Sequence, residues 1–232
     1  MSLIFHHRGS MGDIIYSLPT IISYNCDAIL SLRKEYHFQF LYTLLIRQPY
    51  LCNVVFNKAH GNDFVNLDKF RRIEKRARSR GKIKHLAKAH LEANKKDFDL
   101  TECWLFNITP TYAADIVVNR SLRYHDKEEI DWSLLQYYDV LFLGFEEEYI
   151  KFCEIAKFKP KFFYCFDALD MASLIMGSKL FIGNQSFGFA LAEAMKHPRI
   201  LEIYYRADNC RPNGKDGYYY LSNELIKDYI NG

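Results

Sequence analysis

Two glycine-containing stretches carry the residues whose chemistry is most specific. In the later one, Gly183-Asn184-Gln185-Ser186 follows a short apolar run and precedes a segment rich in helix formers, a pattern that predicts a strand, a tight turn and a helix. Ser186 can cap that helix, and the free N–H groups of a first helical turn attract an anion. The stretch therefore predicts an anion-binding corner at the end of a strand, with an ordinary β-α turn as the alternative.

The earlier stretch has the same design near the amino terminus. An apolar strand beginning at Leu3 leads into residues 9–13, Gly-Ser-Met-Gly-Asp, and then into apolar residues typical of a helix. Two glycines three residues apart let a ligand approach the backbone closely. Asp13 lies where the helix begins, a position that favours a carboxylate. No Lys-Ser/Thr pair follows the second glycine and the full dinucleotide fingerprint is missing, so neither a P-loop nor that fingerprint is indicated.

Together the two stretches resemble the bacterial ADP-heptose:lipopolysaccharide heptosyltransferases and their relatives in glycosyltransferase family 9, which are GT-B enzymes. That family carries Gly-x-x-Gly-Asp and a later Leu-Pro, as residues 9–13 and Leu18-Pro19 do here. Its late Gly-Asn-Asp-Ser-Gly, helix and proline are similar to residues 183–198. The resemblance implies a compact α/β GT-B-like fold: two small Rossmann-like domains facing across a cleft, an acceptor-side domain at 1–112 and a sugar-nucleotide-binding domain at 113–232.

The resemblance also implies roles for individual residues. Asp13 matches the aspartate assigned as general base for the acceptor hydroxyl, and the alternative is a helix cap. Glu193 matches a glutamate that binds ribose hydroxyls, and the alternative is a solvent-facing helix residue. The remaining implied binding residues are Gly9, Ser10, Met11 and Gly12 on the acceptor side and Asn184, Gln185, Ser186, Phe187 and Gly188 on the donor side. Apart from the resemblance, Arg120 and Lys179 are candidate phosphate partners.

Three positions depart from the family pattern. Gln185 stands where the heptosyltransferases have Asp, Phe187 where they have Gly, and Ala190 where they have His. Loss of that Asp and His removes a charge and a hydrogen-bonding group from the donor site. These departures are expected if the chain uses a different sugar nucleotide or has lost its activity.

The elements that must position these residues follow from the alternation of apolar runs with amphipathic segments. Alternating strands and helices imply parallel sheets with right-handed crossovers, and Pro19 predicts a kink in the first helix or a restart capped by Ser17. Beyond the two glycine stretches, the predicted strands are 28–32, 54–56, 64–67, 105–108, 116–119, 140–143, 162–165 and 200–204, and the predicted helices are 35–48, 130–136, one from 146, 170–176 and 224–230.

Residues 69–96 form a strongly basic segment with Glu74 and Glu92 as its only acidic residues. Such a run is either a solvated helical face, broken at Gly81, or a surface for a polyanion such as nucleic acid, lipid phosphate or a phosphorylated glycan. No RNA- or DNA-binding signature accompanies it.

Composition narrows the class of protein. Among 232 residues, 49% are hydrophobic and 25% charged, typical of a soluble globular protein. No apolar run approaches the roughly 18 residues of a membrane span, and no leader precedes the first strand, so we expect a cytoplasmic protein. The six cysteines form no C-x-x-C pair and the eight histidines no H-E-x-x-H, so the pattern predicts reduced thiols and no metal site.

We therefore predict a metal-independent glycosyltransferase that moves a sugar from a nucleotide-sugar donor to a glycan or a lipopolysaccharide-like, lipid-linked acceptor. No cofactor is expected besides the donor, and the resemblance implies inverting chemistry. Two alternatives stay open: a glycosyltransferase that acts on modified DNA through residues 69–96, and a non-catalytic nucleotide-binding relative.

Overall fold

Two parallel β-sheets form the framework of the computed structural model, which describes residues 2–57, 64–125 and 130–231. The first sheet has the order β3-β2-β1-β4 and the second β10-β9-β8-β5-β6-β7. All of their described ladders are parallel. The strands are β1 (Leu3–His7), β2 (Ala28–Leu32), β3 (Leu51–Phe56), β4 (Val65–Asn66), β5 (Ile116–Asn119), β6 (Val140–Leu143), β7 (Lys161–Phe163), β8 (Leu180–Asn184), β9 (Arg199–Glu202) and β10 (Gly217–Tyr218).

Helices cover both sheets, as expected for parallel strands joined by crossovers. The α-helices are α1 (Met11–Ile22), α2 (Glu35–Leu45), α3 (Phe70–Arg78), α4 (Leu86–Asn94), α5 (Glu146–Ala156), α6 (Ala168–Met176), α7 (Phe187–Met195) and α8 (Asn223–Asn231). Short 3₁₀ helices occupy Leu67–Lys69, Trp132–Tyr137 and Tyr205–Ala207. No helix of the described ranges is long and apolar enough to cross a membrane.

One hydrophobic core runs from the first sheet to the second. Phe5 of β1, Phe189 of α7 and Leu201 of β9 belong to the same buried cluster, and α7 is buried from Gly188 to its end. Small residues let its neighbours approach, since a Cβ on Gly12 of α1 would lie 3.9 Å from the Cβ of Ala190. The strands of the first sheet precede residue 112 in the sequence and those of the second sheet follow it, but the two sheets share this core. The division into two domains therefore stays a prediction.

The first helix begins where the sequence places it and continues past its proline. The Ser10 hydroxyl accepts from the Asp13 amide and the Asp13 carboxylate accepts from the Ser10 amide, a capping box. The predicted restart at Ser17 is wrong: Ser17 is buried inside the helix and its hydroxyl donates to the Ile14 carbonyl at 2.7 Å. The helix is therefore continuous across Pro19.

The predicted strand at 105–108 is also wrong. Residues 103–112 form no regular secondary structure and belong to no sheet. The amides of Trp104 and Leu105 donate to the Ala194 carbonyl. The Gln48 side chain accepts from the Phe106 amide at 2.8 Å and donates to the Phe106 carbonyl at 3.1 Å. These partners supply the hydrogen bonds that a ladder would have given, so the segment needs no neighbouring strand.

Other boundaries differ in smaller ways. The predicted helix at 130–136 is a 3₁₀ helix started by Asp131, whose carboxylate accepts from the Ser133 amide. The basic segment forms two helices, α3 and α4, and Gly81 between them has φ +68°, a conformation that favours glycine. The predicted closing strand, β9, is not the edge, because the unpredicted β10 pairs with it.

Candidate active site between the two sheets

A cavity of about 690 Å³ lies where the loop after β1 meets the corner between β8 and α7. In open parallel sheets, ligands bind outside the carboxyl ends of strands, and both segments leave their sheets at that end. Residues of both predicted stretches line it: Gly9, Ser10, Met11, Gly12, Asp13, Gln185, Ser186 and Phe187. The remaining lining includes Arg8, Lys34, His37, Arg71, Glu74, Arg78, Arg123, Tyr124 and Asn209.

Side chains fix three successive backbone amides of the loop after β1. The Arg8 amide donates to Asp68 Oδ1 at 3.2 Å, the Gly9 amide to His7 Nδ1 at 2.8 Å, and the Ser10 amide to Asp13 Oδ2 at 3.1 Å. A loop with its amides held in this way presents Asp13 in one orientation.

Asp13 reaches the cavity with one oxygen engaged and the other open. Oδ2 accepts from the Ser10 amide and from Arg71 Nη2 at 3.2 Å, while Oδ1 has no hydrogen-bond partner within the described ranges. The side chain is 16% exposed. The carboxylate is therefore anchored through Oδ2 and available to a ligand through Oδ1.

Basic side chains dominate the wall on the side of the first sheet. Arg71 and Arg78 of α3 line the cavity, whereas Arg72, Lys75 and Arg76 of the same helix are exposed outside it. Glu74 of the same helix also lines the cavity; it is partly buried, and burial raises the pKa of its carboxyl. The basic segment thus contributes both to a solvated face and to a cavity that favours anions.

The donor corner has the predicted shape but a different cap. Ser186 is the N-cap residue of α7, yet its hydroxyl donates to Asn119 Oδ1 at 2.6 Å and makes no bond to the helix amides. The predicted side-chain cap is therefore wrong. Gly188 lies behind this contact, where a Cβ would approach Asn119 Oδ1 to 2.6 Å. Gly188 is buried and serves the packing of Asn119.

Asn184 and Gln185 shape the walls through contacts with neighbouring loops. Asn184 is fully buried; its Oδ1 accepts from the Ser121 amide and its Nδ2 donates to the Ser121 and Arg123 carbonyls. Gln185 accepts from the Tyr204 amide at 2.8 Å and donates to the Ala207 carbonyl at 2.7 Å. Asn184 thereby orients the turn that carries Arg123 into the cavity.

Glu193 lies away from the cavity, in a buried ion-paired cluster. Its carboxylate accepts from Arg199 Nε at 2.5 Å, from Lys196 Nζ at 2.6 Å and from the Asn213 amide at 3.1 Å. Both Glu193 and Arg199 are fully buried. The alternative of a solvent-facing residue is wrong, and a ribose could bind this carboxylate only by displacing these partners.

The two candidate phosphate partners also have other contacts. Arg120 forms a buried, bidentate pair with Glu202, at 2.7 and 2.8 Å. Lys179 precedes β8 at its amino end and pairs with Asp115 at 3.4 Å. Since β8 has five residues, Lys179 lies roughly 16 Å from the carboxyl end where the cavity opens. Neither side chain is placed to contact a phosphate there.

A second, smaller cavity of about 180 Å³ adjoins the first. It shares Met11, Arg123, Ser186 and Phe187 with the larger one, so the two meet at a neck formed by these residues. We call it the aromatic cavity because five of its lining residues are aromatic: Tyr36, Phe40, Phe145, Tyr164 and Phe187. This cavity was not predicted from the sequence. The aromatic residues that follow β6 and β7 are the feature that could have indicated it.

Comparison with solved structures finds proteins with a similar fold. The chain superposes on a glycosyltransferase of family 9 from Veillonella parvula with TM-score 0.59 and 11% identity, covering 86% of this chain and 79% of that one. It superposes on E. coli heptosyltransferase WaaC with ADP-2-deoxy-2-fluoro heptose with TM-score 0.54 and 12% identity, covering 100% and 99%. E. coli ADP-heptose LPS heptosyltransferase II gives TM-score 0.58 and 9% identity, covering 100% and 98%.

These likenesses confirm the predicted fold: the chain has the α/β, GT-B-like architecture of heptosyltransferases. No protein-family model matches the sequence, and no curated protein matches it. Within the described ranges, no group of three or more His, Cys, Asp or Glu side chains is placed to hold a metal ion.

Proposed function

We propose that this protein is a glycosyltransferase that moves a sugar from a nucleotide-sugar donor to an acceptor glycan. One observation carries the proposal: the loop with Asp13 and the amino end of α7 open into the same cavity. The fold adds support, since structures of the same architecture are heptosyltransferases, one of them with a fluorinated ADP-heptose.

The donor would occupy both cavities. The aromatic cavity suits a nucleobase, because Tyr and Phe rings bury its apolar faces. At the neck, the Ser186 hydroxyl, Arg123 and the first amides of α7 would bind the diphosphate. The sugar would then project into the large cavity, towards Asp13. Glu148 lines the aromatic cavity, and its Oε2 accepts from the Phe145 amide at 3.0 Å, so its other oxygen would accept from a ribose hydroxyl.

The reaction needs a base and a stabilised leaving group. Asp13 Oδ1 would take the proton of the acceptor hydroxyl while that oxygen bonds to the anomeric carbon. The bond between that carbon and the diphosphate oxygen breaks, and its electron pair leaves with the nucleoside diphosphate. Attack opposite the leaving group inverts the anomeric configuration. Arg123 and the α7 dipole would neutralise the developing charge, so the chemistry requires no metal ion.

The positive charge on the wall of the large cavity beside Asp13 favours an anionic acceptor. Arg71 contacts Asp13 Oδ2 at 3.2 Å, and Lys34 and Arg78 line the same wall. A phosphate or carboxylate on the acceptor would attract these cations, and it would draw Arg71 away from the carboxylate. A phosphorylated or acidic glycan, such as a lipopolysaccharide-like acceptor, fits this arrangement.

The test is a transfer assay with a panel of nucleotide sugars and acidic glycan acceptors, comparing wild type with Asp13→Asn. The asparagine keeps the contact with the Ser10 amide and removes the base, so we expect transfer to fall about 100-fold or more while nucleotide binding persists. Glu74→Gln is the matched control, a carboxylate of the same cavity with no assigned role. Undiminished transfer by Asp13→Asn would refute the base assignment.

The same assay, with modified DNA added to the acceptors, also tests the two alternative functions, a glycosyltransferase acting on DNA and a non-catalytic nucleotide-binding relative. Transfer to modified DNA, lost at high salt, would favour a DNA acceptor. Tight nucleotide binding without transfer to any acceptor would indicate a non-catalytic relative.

A further inference from the structure

His7 connects the end of β1 to the loop that carries Asp13. Its ring is fully buried, and its Nδ1 accepts the Gly9 amide at 2.8 Å. A nitrogen that accepts a hydrogen bond carries no proton, so a neutral His7 has its proton on Nε2. Burial lowers the pKa of His7 to about 4, which keeps the imidazole neutral at neutral pH. The Gly9 amide therefore donates to Nδ1 of the neutral tautomer that carries its proton on Nε2.

Gly9 lies in a narrow space between the His7 ring and the Asp13 carboxylate. A Cβ on Gly9 would come within 2.5 Å of His7 Cε1 and 2.8 Å of Asp13 Oδ2. Real Cβ atoms do not approach other atoms so closely, so ring, glycine and carboxylate are in direct contact. A displacement of the ring would be passed to Asp13 through the backbone of Gly9 and Ser10.

The ring packs against two other rings, and its Nε2 has no hydrogen-bond partner within the described ranges. His90 lies 5.4 Å from it and Phe70 6.1 Å, measured between ring centroids, and His90 stacks on Phe70 at 4.0 Å. Asp68 Oδ1 lies 3.5 Å from Nδ1 and accepts the Arg8 amide next to it. The charged and titratable groups that act on the ring are Asp68, Asp13, Arg71 and His6, with His90 against it.

We propose that His7 is a positioning residue for the transfer reaction: through Nδ1 it fixes the Gly9 amide and thereby the orientation of Asp13 towards the acceptor. This inference rests on the proposed function, because it gives Asp13 the role of base. It differs from a packing role, since an apolar side chain of the same volume would pack equally well but could not accept the amide.

A pair of variants separates positioning from packing. In His7→Asn, the side-chain oxygen can take the place of Nδ1 and accept the Gly9 amide, whereas His7→Leu fills similar space without an acceptor. We expect His7→Leu to lower kcat roughly 10- to 100-fold, because small misplacements of catalytic groups cost that much, with the donor KM unchanged. His7→Asn should recover most of kcat. In an Asp13→Asn background, His7→Leu should have little further effect.

A second measurement does not depend on activity. ¹⁵N NMR of the wild type at pH 7 should show His7 with Nδ1 unprotonated and Nε2 protonated. The Gly9 amide should exchange slowly with solvent in wild type and in His7→Asn, and faster in His7→Leu.

The outcomes are distinguishable. If wild type transfers no sugar, the proposed function fails, while the tautomer and the Gly9 exchange still decide whether His7 anchors the loop. If His7→Leu does not fold, His7→Asn and the wild-type spectrum decide. A protonated Nδ1, a fast-exchanging Gly9 amide in wild type, or equal kcat in wild type and a folded His7→Leu variant would overturn the proposal.

Discussion

Acid should destabilise this protein between pH 6.5 and 4, because several of its histidines are wholly or partly buried and neutral. His7, His90 and His197 have little or no exposed surface, and His85 is partly buried. Burial lowers the pKa of His7 and of His197 to about 4 and that of His85 to about 3, and it lowers the pKa of His90 well below its usual range. Unfolding exposes all four side chains to water, where a histidine pKa is about 6.5.

The direction of the effect follows from proton uptake. Below pH 6.5 the unfolded chain binds protons that the folded chain excludes, so the free energy of unfolding falls with pH. This stability is complete above pH 6.5 and decreases as pH falls towards the folded-state pKa values. Between pH 7.5 and 5.5, each such histidine removes about 1.3 kcal/mol. The three with pKa values of about 3 to 4 together remove about 4 kcal/mol, a large part of a typical net stability of about 5–15 kcal/mol.

Urea denaturation at pH 7.5, 6.5 and 5.5 measures the loss, and His90→Phe tests its cause. His90 stacks on Phe70, and neither ring nitrogen has a hydrogen-bond partner within the described ranges. Phenylalanine therefore keeps the ring and removes the titration. We expect the variant to lose less stability than wild type over this pH range, because burial lowers the pKa of His90 and the variant no longer has this titrating group. His125→Gln, at an exposed histidine, is the control. Equal pH dependence in wild type and His90→Phe would refute the reasoning.

Three further predictions concern the ion pair of Glu193 and Arg199, the contact between the end of α6 and Thr111, and the neck between the two cavities. Glu193→Ala leaves Arg199 buried without its carboxylate and should cost about 3–5 kcal/mol in urea denaturation. Gly177→Ala would place a Cβ 2.2 Å from the Thr111 carbonyl oxygen, so we expect a loss of at least 1–3 kcal/mol in the same assay. Arg123→Gln should weaken nucleoside diphosphate binding roughly 10-fold in calorimetry, because a charge-assisted hydrogen bond is lost.

Matched controls accompany these predictions. Glu154→Ala breaks the exposed pair with Lys151 and should cost at most about 1 kcal/mol; a similar cost for Glu193→Ala would contradict the role of burial. Gly12→Ala meets only the Ala190 Cβ, at 3.9 Å, and should leave stability nearly unchanged. Arg78→Gln changes a cation of the large cavity outside the neck, and an equal loss of affinity there would argue against a specific diphosphate site.

The sequence could predict the two segments that form the site because both depend on local chemistry. The capping box of Ser10 and Asp13, and the glycine-bounded run before α7, determine where a strand ends and a helix begins. That the two loops face each other follows from a general rule for parallel strands. The approximate places of nine of the ten strands followed from their apolar runs; β10 was missed, and a strand was predicted at 105–108 where none forms.

Long-range contacts explain what could not be predicted. The run at 105–108 has the composition of a strand, but its hydrogen bonds go to the Gln48 side chain and to α7. Glu193 is turned inward by Arg199, which is six residues away but belongs to β9. The aromatic cavity combines residues from α2, the ends of β6 and β7, and α7, and no local pattern joins these segments.

The central claim is that a nucleotide sugar binds between the two sheets, with its diphosphate at the neck. A crystal structure of the complex with the best-binding nucleoside diphosphate tests it most directly. We expect the nucleobase within the aromatic cavity and the diphosphate in contact with Ser186 and Arg123, with the large cavity open beside Asp13. A diphosphate bound elsewhere on the chain, or no binding by any nucleoside diphosphate, would contradict it.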